Sequence, residues 1–472
     1  MKAIKLMDVV KAVHAIDYTA LDRFISVTGV EFDSRKVKPG DLFVPLSGGA
    51  TDGHDYIQQA IKNGAVATLW SKEAQAAPAD QIAIVLVDDT LVAMQALANY
   101  YRNSLNPKVI GITGSNGKTT TKDMTANVLK AKYKVHKTEG NYNNEIGLPY
   151  TLLQMPADTQ VVVCEMGMSD FGEIEVLSKI AQPDIAVITL IGESHLEFLG
   201  SRANIAKAKL EILKGLKEDG LFIYPANEPL LQEAGQALGD RARSFGLDNT
   251  ADFYAYDLKE DKNKTYFHTN IDDQVLCSIP VMGAYNVGNA MIALTVAQEL
   301  KVPIEQAIFQ LSQFKLTKNR LEWLTASNGA SILNDAYNAS PTSIKAVLKS
   351  FSQVETQAEG RRLVALGDVK ELGPESANYH AALSQEIDPK KIAKVYLLGP
   401  QMQHLYQALQ AKFPKQALYY TENDHKALVA TIQADLQVQD HLLVKSSLGT
   451  DMLYVVGKLI GEDIYNPYRT IK

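Results

Sequence analysis

Cysteine is nearly absent from this sequence: among 472 residues only Cys164 and Cys277 carry a thiol, and they lie far apart. They form neither a disulfide framework nor a CxxC metal pair, so a reducing compartment is expected, with the cytoplasm as the default. Long apolar runs are also missing. No stretch approaches the roughly 18 uninterrupted apolar residues of a membrane span, and the N-terminal MKAIKLMDVVKAVHA lacks a sustained apolar signal core. No membrane insertion is expected. A basic surplus is missing too. The formal net charge is -7, which leaves no whole-chain footprint for nucleic acid. That charge excludes no small anionic substrate, because a few local Lys and Arg side chains suffice to hold a phosphate. Short-period repeats and low-complexity tracts are absent, and nothing demands an oligomer, so a monomer is expected.

What is present reads as ordinary globular protein, with 46% hydrophobic and 21% charged residues. Short apolar runs at 108–113, 161–165, 185–190, 363–366, 394–398 and 441–444 read as strands, and 119–132, 286–299 and 343–351 as helices. Alternation of this kind implies α/β domains with mainly parallel sheets. A linker-like NSLNP at 103–107 and the segment KLTKNR at 315–320 divide the chain into domains at 1–105, 106–318 and 319–472.

The strongest local signal is GITGSNGKTT at 111–120, which follows a strand-like run and opens a helix-like one. Glycines let the backbone curl so that N–H groups face phosphate oxygens, and the helix N-terminus adds positive potential. Lys118 is expected to reach the terminal phosphates and the Thr119 hydroxyl to bind Mg²⁺. Five residues separate Gly111 from Gly117, one more than the standard phosphate loop has between its first glycine and the Gly-Lys pair. By itself the loop does not choose among motors, kinases, GTPases and ligases.

Downstream, Glu165 ends the run VVVCE, where α/β sheets place ligand chemistry. It reads as a Mg²⁺ ligand or as a plain surface acid. His195, in ESHLE, is by itself more readily a structural histidine, since Mg²⁺ prefers oxygen. Lys207 and Lys209 sit in a helix-like stretch that reads first as a solvated face, and spacing does not choose between them.

Together these segments resemble the Mur ligase family. TGSNGKTT at 113–120 is similar to that family's TGxNGKTT, and NYNNEIGLP at 141–149 to its NxNNxxGxP. The Glu165 segment, HLE at 195–197 and the run at 208–212 follow in the family's order, and the resemblance covers nearly the whole chain. It implies a three-domain α/β fold: an N-terminal UDP-substrate domain, a central domain with a P-loop ATPase-like parallel sheet, and a C-terminal Rossmann-like domain. It implies that Gly114, Ser115, Asn116, Gly117, Lys118, Thr119 and Thr120 bind ATP. Thr119, Glu165 and His195 match metal positions, and Lys209 matches a lysine that several members carry as a carbamate, whose oxygens can position Mg²⁺. Lys118, Lys209 and His195 are the implied catalytic set. GAYNVGNA at 283–290 resembles the stretch that faces adenine. Asn289 is the first candidate there because an amide both donates and accepts; Asn286 is the second, and reads also as a helix N-cap. Arg320 and Asp335 match C-terminal positions that close on the nucleotide, Arg320 to neutralise phosphate charge and Asp335 to meet the ribose hydroxyls.

Which family reaction is implied follows from other strings. NDAYNASP at 334–341 and GDVKELG at 367–373 are similar to segments of the ligase that adds D-alanyl-D-alanine, with Tyr337 and Asn338 as substrate contacts. DSR at 33–35, PGDLF at 39–43 and DGH at 52–54 resemble a uridine-nucleotide domain in which Ser34 and Arg35 contact the UDP-sugar. The DNPR string of the preceding ligase, which adds the third peptide residue, is absent, and KGSR is replaced by KSSL at 445–448. The implied partners are a UDP-N-acetylmuramoyl-tripeptide and D-alanyl-D-alanine, with ATP and Mg²⁺ as cofactors. The rivals are the preceding ligase and a non-catalytic nucleotide-binding module.

Overall fold

The five residues of Val161–Glu165 and the four of Ile185–Ile188 are all buried, which is the mark of strands covered by helices on both faces. They belong to a nine-stranded sheet in the computed structural model, which describes residues 1–472 except 21, 23, 49, 50, 73–76, 468 and 470–472. Its order is Val135–Lys137, Val161–Glu165, Lys108–Thr113, Ile185–Ile188, Leu221–Pro225, Ala242–Gly246, Phe253–Glu260, Thr265–Thr269 and Cys277–Ile279. The pairings are parallel as far as Phe253–Glu260, and the last two strands add antiparallel. Lys108–Thr113 lies between two strands that both follow it in the chain, so its C-terminal end opens at a topological switch point, where such sheets bind ligands.

The N-terminal domain has a five-stranded sheet, parallel except for the edge strand Asp17–Thr19. The C-terminal sheet has six strands, with His441–Lys445 inserted between Ser331–Asp335 and Arg362–Gly367; only Glu322–Thr325 is antiparallel. The three-domain α/β fold expected from the sequence is therefore present. No helix among the described residues is long and apolar enough to cross a membrane.

Local differences have local causes. The linker expected at 103–107 is mostly helix. Thr90–Leu105, capped by the Asp89 carboxylate, runs on until Asn106 turns left-handed at φ 49°. Its apolar face, including Leu97 and Tyr101, is buried where it packs on the helices Gly147–Leu153 and Glu173–Ala181 of the central domain. The strand expected over 185–190 stops at Ile188, because Thr189 and Leu190 bond to the phosphate loop instead. Asn286 is not an N-cap: the helix Ala284–Glu299 starts before it from Gly283, and Asn286 is buried in the first turn with its amide donating to the Met282 carbonyl at 2.8 Å.

Candidate functional site

The loop between Lys108–Thr113 and the helix Lys118–Leu129 is pinned from beneath. Ser115 N–H donates to the Leu190 carbonyl at 2.8 Å, the Thr189 hydroxyl donates to the Asn116 carbonyl at 2.5 Å, and Gly192 N–H donates to Ser115 Oγ at 2.9 Å. Two glycines are required by space as well as by conformation. A Cβ on Gly114 would fall 1.9 Å from Thr189 Oγ1, and one on Gly117, at φ 81°, would fall 2.6 Å from Asn289 Oδ1. Gly117→Ala is accordingly expected to weaken ATP binding by about 10-fold or more, since it misplaces the loop whose N–H groups hold phosphate; isothermal titration with ATP checks this, and unchanged affinity would contradict it.

Three cavities meet on this loop. The first, of about 280 Å³, is lined by residues 115–120 together with Asn143 and Glu165 of the central domain and Thr317, Arg320, Tyr337 and Asn338. The second, of about 420 Å³, shares Ser115 and Lys118 with the first and adds Glu193, His195, Lys370 and Glu371. The third, of about 230 Å³, shares Asn116 and Gly117 and is walled by Phe245, Leu247, Tyr285 and Asn289.

In the first cavity Glu165 Oε1 accepts from Thr119 Oγ1 at 3.2 Å and from Asn143 Nδ2 at 3.0 Å. Oε2 is buried without a hydrogen-bond partner, and the Lys122 ammonium stands 3.8 Å away. Glu165 is therefore no surface acid. Among the described residues no three His, Cys, Asp or Glu side chains cluster, so a hard cation here would take Thr119 Oγ1, the orphaned Glu165 oxygen and oxygens supplied by a bound phosphate. The donor set fits that group. Lys118 folds back onto the loop, its Nζ donating to the Gly114 carbonyl at 2.8 Å. Burial pushes its ammonium below the usual lysine value, and nearby Arg320 adds to this while Glu165 opposes it. Such a cation is primed for an anionic ligand. Arg320 stacks over the Tyr337 ring, 4.6 Å from the centroid.

His195 sits at φ 62°, the residue before the short helix Leu196–Leu199, on the wall of the second cavity. Its Nδ1 lies 2.6 Å from Glu371 Oε2 of the C-terminal domain, and that contact, outweighing burial, holds the Glu371 carboxyl below its usual range. The candidate metal residues are thus split: Glu165 faces the first cavity and His195 the second, with Lys118 between. Lys209 lies in the helix Arg202–Leu210 and is 1% exposed. Burial drives its amine well below the ordinary lysine value, and the Lys118 charge acts the same way. Of the two lysines that the sequence left equivalent, Lys207 is exposed and Lys209 is inside.

Asn289 binds its neighbours and still faces the third cavity. Its Oδ1 accepts from Thr121 Oγ1 at 3.1 Å, its Nδ2 donates to Asn286 Oδ1 at 3.1 Å, and one further donor and acceptor direction remains. Asp335 is placed otherwise than expected. It lines none of these cavities; its carboxylate pairs with the Lys445 ammonium at 2.5 Å and accepts from Leu321 N–H at 3.3 Å, so it holds the strand base beneath Arg320. Ser34 and Arg35 also lie away from the cavities. Ser34 is buried, while Arg35 is exposed and paired with Asp33 at 2.8 Å. Their turn follows Glu31, which accepts from the Tyr150 hydroxyl of the central domain at 2.9 Å, and Phe32 packs edge-on to Tyr150 with centroids 4.9 Å apart.

Sequence reasoning passed over several residues that the structure brings to the site. Lys122 and Asp123, inside the helix Lys118–Leu129, drew no reading from the sequence, yet both are buried. Glu193 accepts from the Thr342 N–H and hydroxyl, and Asn116 Nδ2 donates to Ser340 Oγ at 2.9 Å, so both clamp the C-terminal domain against the loop.

Comparison with known proteins agrees along the whole chain. The family described as "Mur ligase middle domain" matches residues 112–297, "Mur ligase, glutamate ligase domain" matches 319–448, and "Mur ligase family, catalytic domain" matches 26–102. A UDP-N-acetylmuramoyl-tripeptide--D-alanyl-D-alanine ligase of Bacillus subtilis is 42% identical over 92% of this chain and 93% of its own length. A crystal structure of MurF from Acinetobacter baumannii superposes with a TM-score of 0.87 at 27% identity, covering 98% of this chain and 100% of that one. MurF from Thermotoga maritima, in complex with ADP, superposes at 0.79 with 28% identity over 92% and 97% of the two chains.

Proposed function

Since the chain belongs to the Mur ligase family, we propose that it joins D-alanyl-D-alanine to a UDP-N-acetylmuramoyl-tripeptide in peptidoglycan precursor synthesis, with conversion of ATP to ADP and phosphate. The observation that carries this reading is that the one loop segment 115–118 contributes to the wall of each cavity: all four residues to the first, Ser115 and Lys118 to the second, Asn116 and Gly117 to the third. A purine would fit the partly aromatic third cavity, with its phosphates towards the first and the terminal phosphoryl group towards the second.

The tripeptide carboxylate attacks the terminal phosphorus and ADP leaves, which turns a poor acyl donor into an acyl phosphate. The dipeptide amine then attacks the acyl carbon, and the tetrahedral intermediate collapses to the amide and inorganic phosphate. Two anions approach each other in the first step, so the Lys118 ammonium and the Arg320 guanidinium stabilise the charge as it passes between them. Thr119 and Glu165 would hold Mg²⁺ in the first cavity, with His195, across Lys118 in the second, and a carbamate on Lys209 as the further candidate ligands; the ion would supply charge neutralisation at the phosphates. The contacts Asn116–Ser340, Glu193–Thr342 and His195–Glu371 support a closed C-terminal domain that excludes water from the acyl phosphate. Residues 1–105, through Ser34 and Arg35, take the UDP-sugar, 106–318 take ATP, and 319–472 bring the dipeptide. A soluble, ATP-supplied precursor step assigns the protein to the cytoplasm.

Phosphate release from ATP, measured with UDP-muramoyl-tripeptide and D-alanyl-D-alanine each omitted in turn, tests the proposal. Release is expected only with both, with the pentapeptide seen by mass. Release that instead requires a free amino acid and the dipeptide-bearing precursor would assign the chain to the preceding step.

A further inference from the structure

Arg320 reaches the phosphate cavity from a stretch without regular structure, between the helix Ile304–Ser312 and the strand Glu322–Thr325. Such a segment does not aim a guanidinium by itself. Here it is tied at both ends. On the C-terminal side, Asn319 is left-handed at φ 62° and Leu321 at φ 47°. Asn334 Nδ2 donates to Asn319 Oδ1 at 2.9 Å, and Asn319 N–H donates to Glu322 Oε2 at 2.9 Å. On the other side, the Thr317 hydroxyl donates to Asp123 Oδ2. Asp123 is buried on the helix that begins with Lys118. Its second oxygen accepts from Lys137 Nζ at 2.5 Å, with Lys122 Nζ 3.5 Å away. A hydroxyl on a carboxylate that two ammonium groups already hold is a charge-assisted, stationary anchor.

We infer that Thr317, hydrogen-bonded to Asp123, is a positioning residue that sets Arg320 against the phosphates by fixing the interdomain segment to the phosphate-loop helix itself. The inference rests on the role given to Arg320 above. It makes the helix that carries Lys118 the common reference for both cations, so that the two cannot drift apart when the C-terminal domain moves.

The test is a set of four enzymes assayed with both substrates and ATP: Thr317→Ser, Thr317→Val, Arg320→Ala and the Thr317→Val/Arg320→Ala double variant, each checked by its melting transition. Thr317→Ala replaces the valine variant if the latter does not fold. Thr317→Val is expected to lower kcat about 10-fold with KM for ATP little changed, on the scale of a sub-ångström misplacement, while Thr317→Ser stays close to wild type. The double variant is expected to match Arg320→Ala alone, because the hydroxyl acts through the guanidinium. Wild-type kcat in Thr317→Val, or a further 10-fold loss in the double variant, would overturn the inference while leaving Arg320 its role. Wild-type activity in Arg320→Ala would remove both.

Discussion

Lys118→Ala is expected to lower ATP-dependent amide formation by about 10²–10³-fold or more, the scale of losing one preorganised charge at the reacting group, and to leave the chain folded. The reason lies in how the loop holds this lysine. Its side chain is half-buried and bonded to a single backbone carbonyl, and desolvation by the surrounding protein disfavours its charge. A desolvated cation with incomplete partners costs stability in the ligand-free state. Removing it should therefore leave the melting temperature of the apo protein unchanged or higher, while the rise that ATP brings to the wild type is lost. Activity would fall without any fall in apo stability, which a general folding defect cannot produce. Thermal melts with and without ATP, beside the phosphate-release assay, check both halves; near-normal turnover by folded Lys118→Ala would sink the phosphate-loop assignment.

The second large effect concerns Lys209. Lys209→Ala is expected to lose activity on a similar scale and to recover part of it when a short carboxylic acid such as acetate is added. Carbamylation needs a neutral amine, which adds to CO2 with loss of a proton. Burial and the Lys118 charge both disfavour the ammonium and so favour the neutral amine. The same shift makes a stability prediction. Between the depressed folded pKa and the ordinary lysine value, the unfolded chain binds a proton that the folded chain does not. Stability therefore rises with pH across that window and levels off above the ordinary value. In buffer stripped of CO2, Lys209→Met should raise the melting temperature at pH below the ordinary lysine value and flatten the gain that the wild type shows as pH rises towards that value. Full activity of Lys209→Ala without added acid would falsify its place in the site. An unchanged pH slope in Lys209→Met would argue that this amine is charged in the folded protein.

How much of this could be read in advance depended on distance along the chain. The strand Lys108–Thr113, the glycines of the loop and the helix Lys118–Leu129 are contiguous, and their conformations follow from local rules about glycine, helix N-termini and apolar runs. Fold class followed in the same way, from alternating strand-like and helix-like segments. Limits of elements were less legible where a long-range contact decided them. Thr90–Leu105 continues through a linker-like sequence because its face is buried on another domain, and Ile185–Ile188 ends early because Thr189 and Leu190 bond to the loop.

Side-chain environment was the least legible. Lys207 and Lys209 are two residues apart in one helix, about 200° around its axis, so one faces water and the other the interior; the sequence did not say which. Asp335 followed an apolar run like Glu165, yet Lys445, from a strand more than 100 residues later, claims its carboxylate. Nothing in the sequence singled out Lys122 and Asp123, whose surroundings are made by Glu165, Lys137 and Thr317 from distant parts of the chain. The sequence alone determined the phosphate loop, the α/β class and the family likeness, because these rest on neighbours in the chain and on residue order. Only the tertiary structure decided which charges are buried, which carboxylate oxygen is left unpaired and where Arg320 is held, because burial and pairing depend on groups that meet only after the three domains have packed.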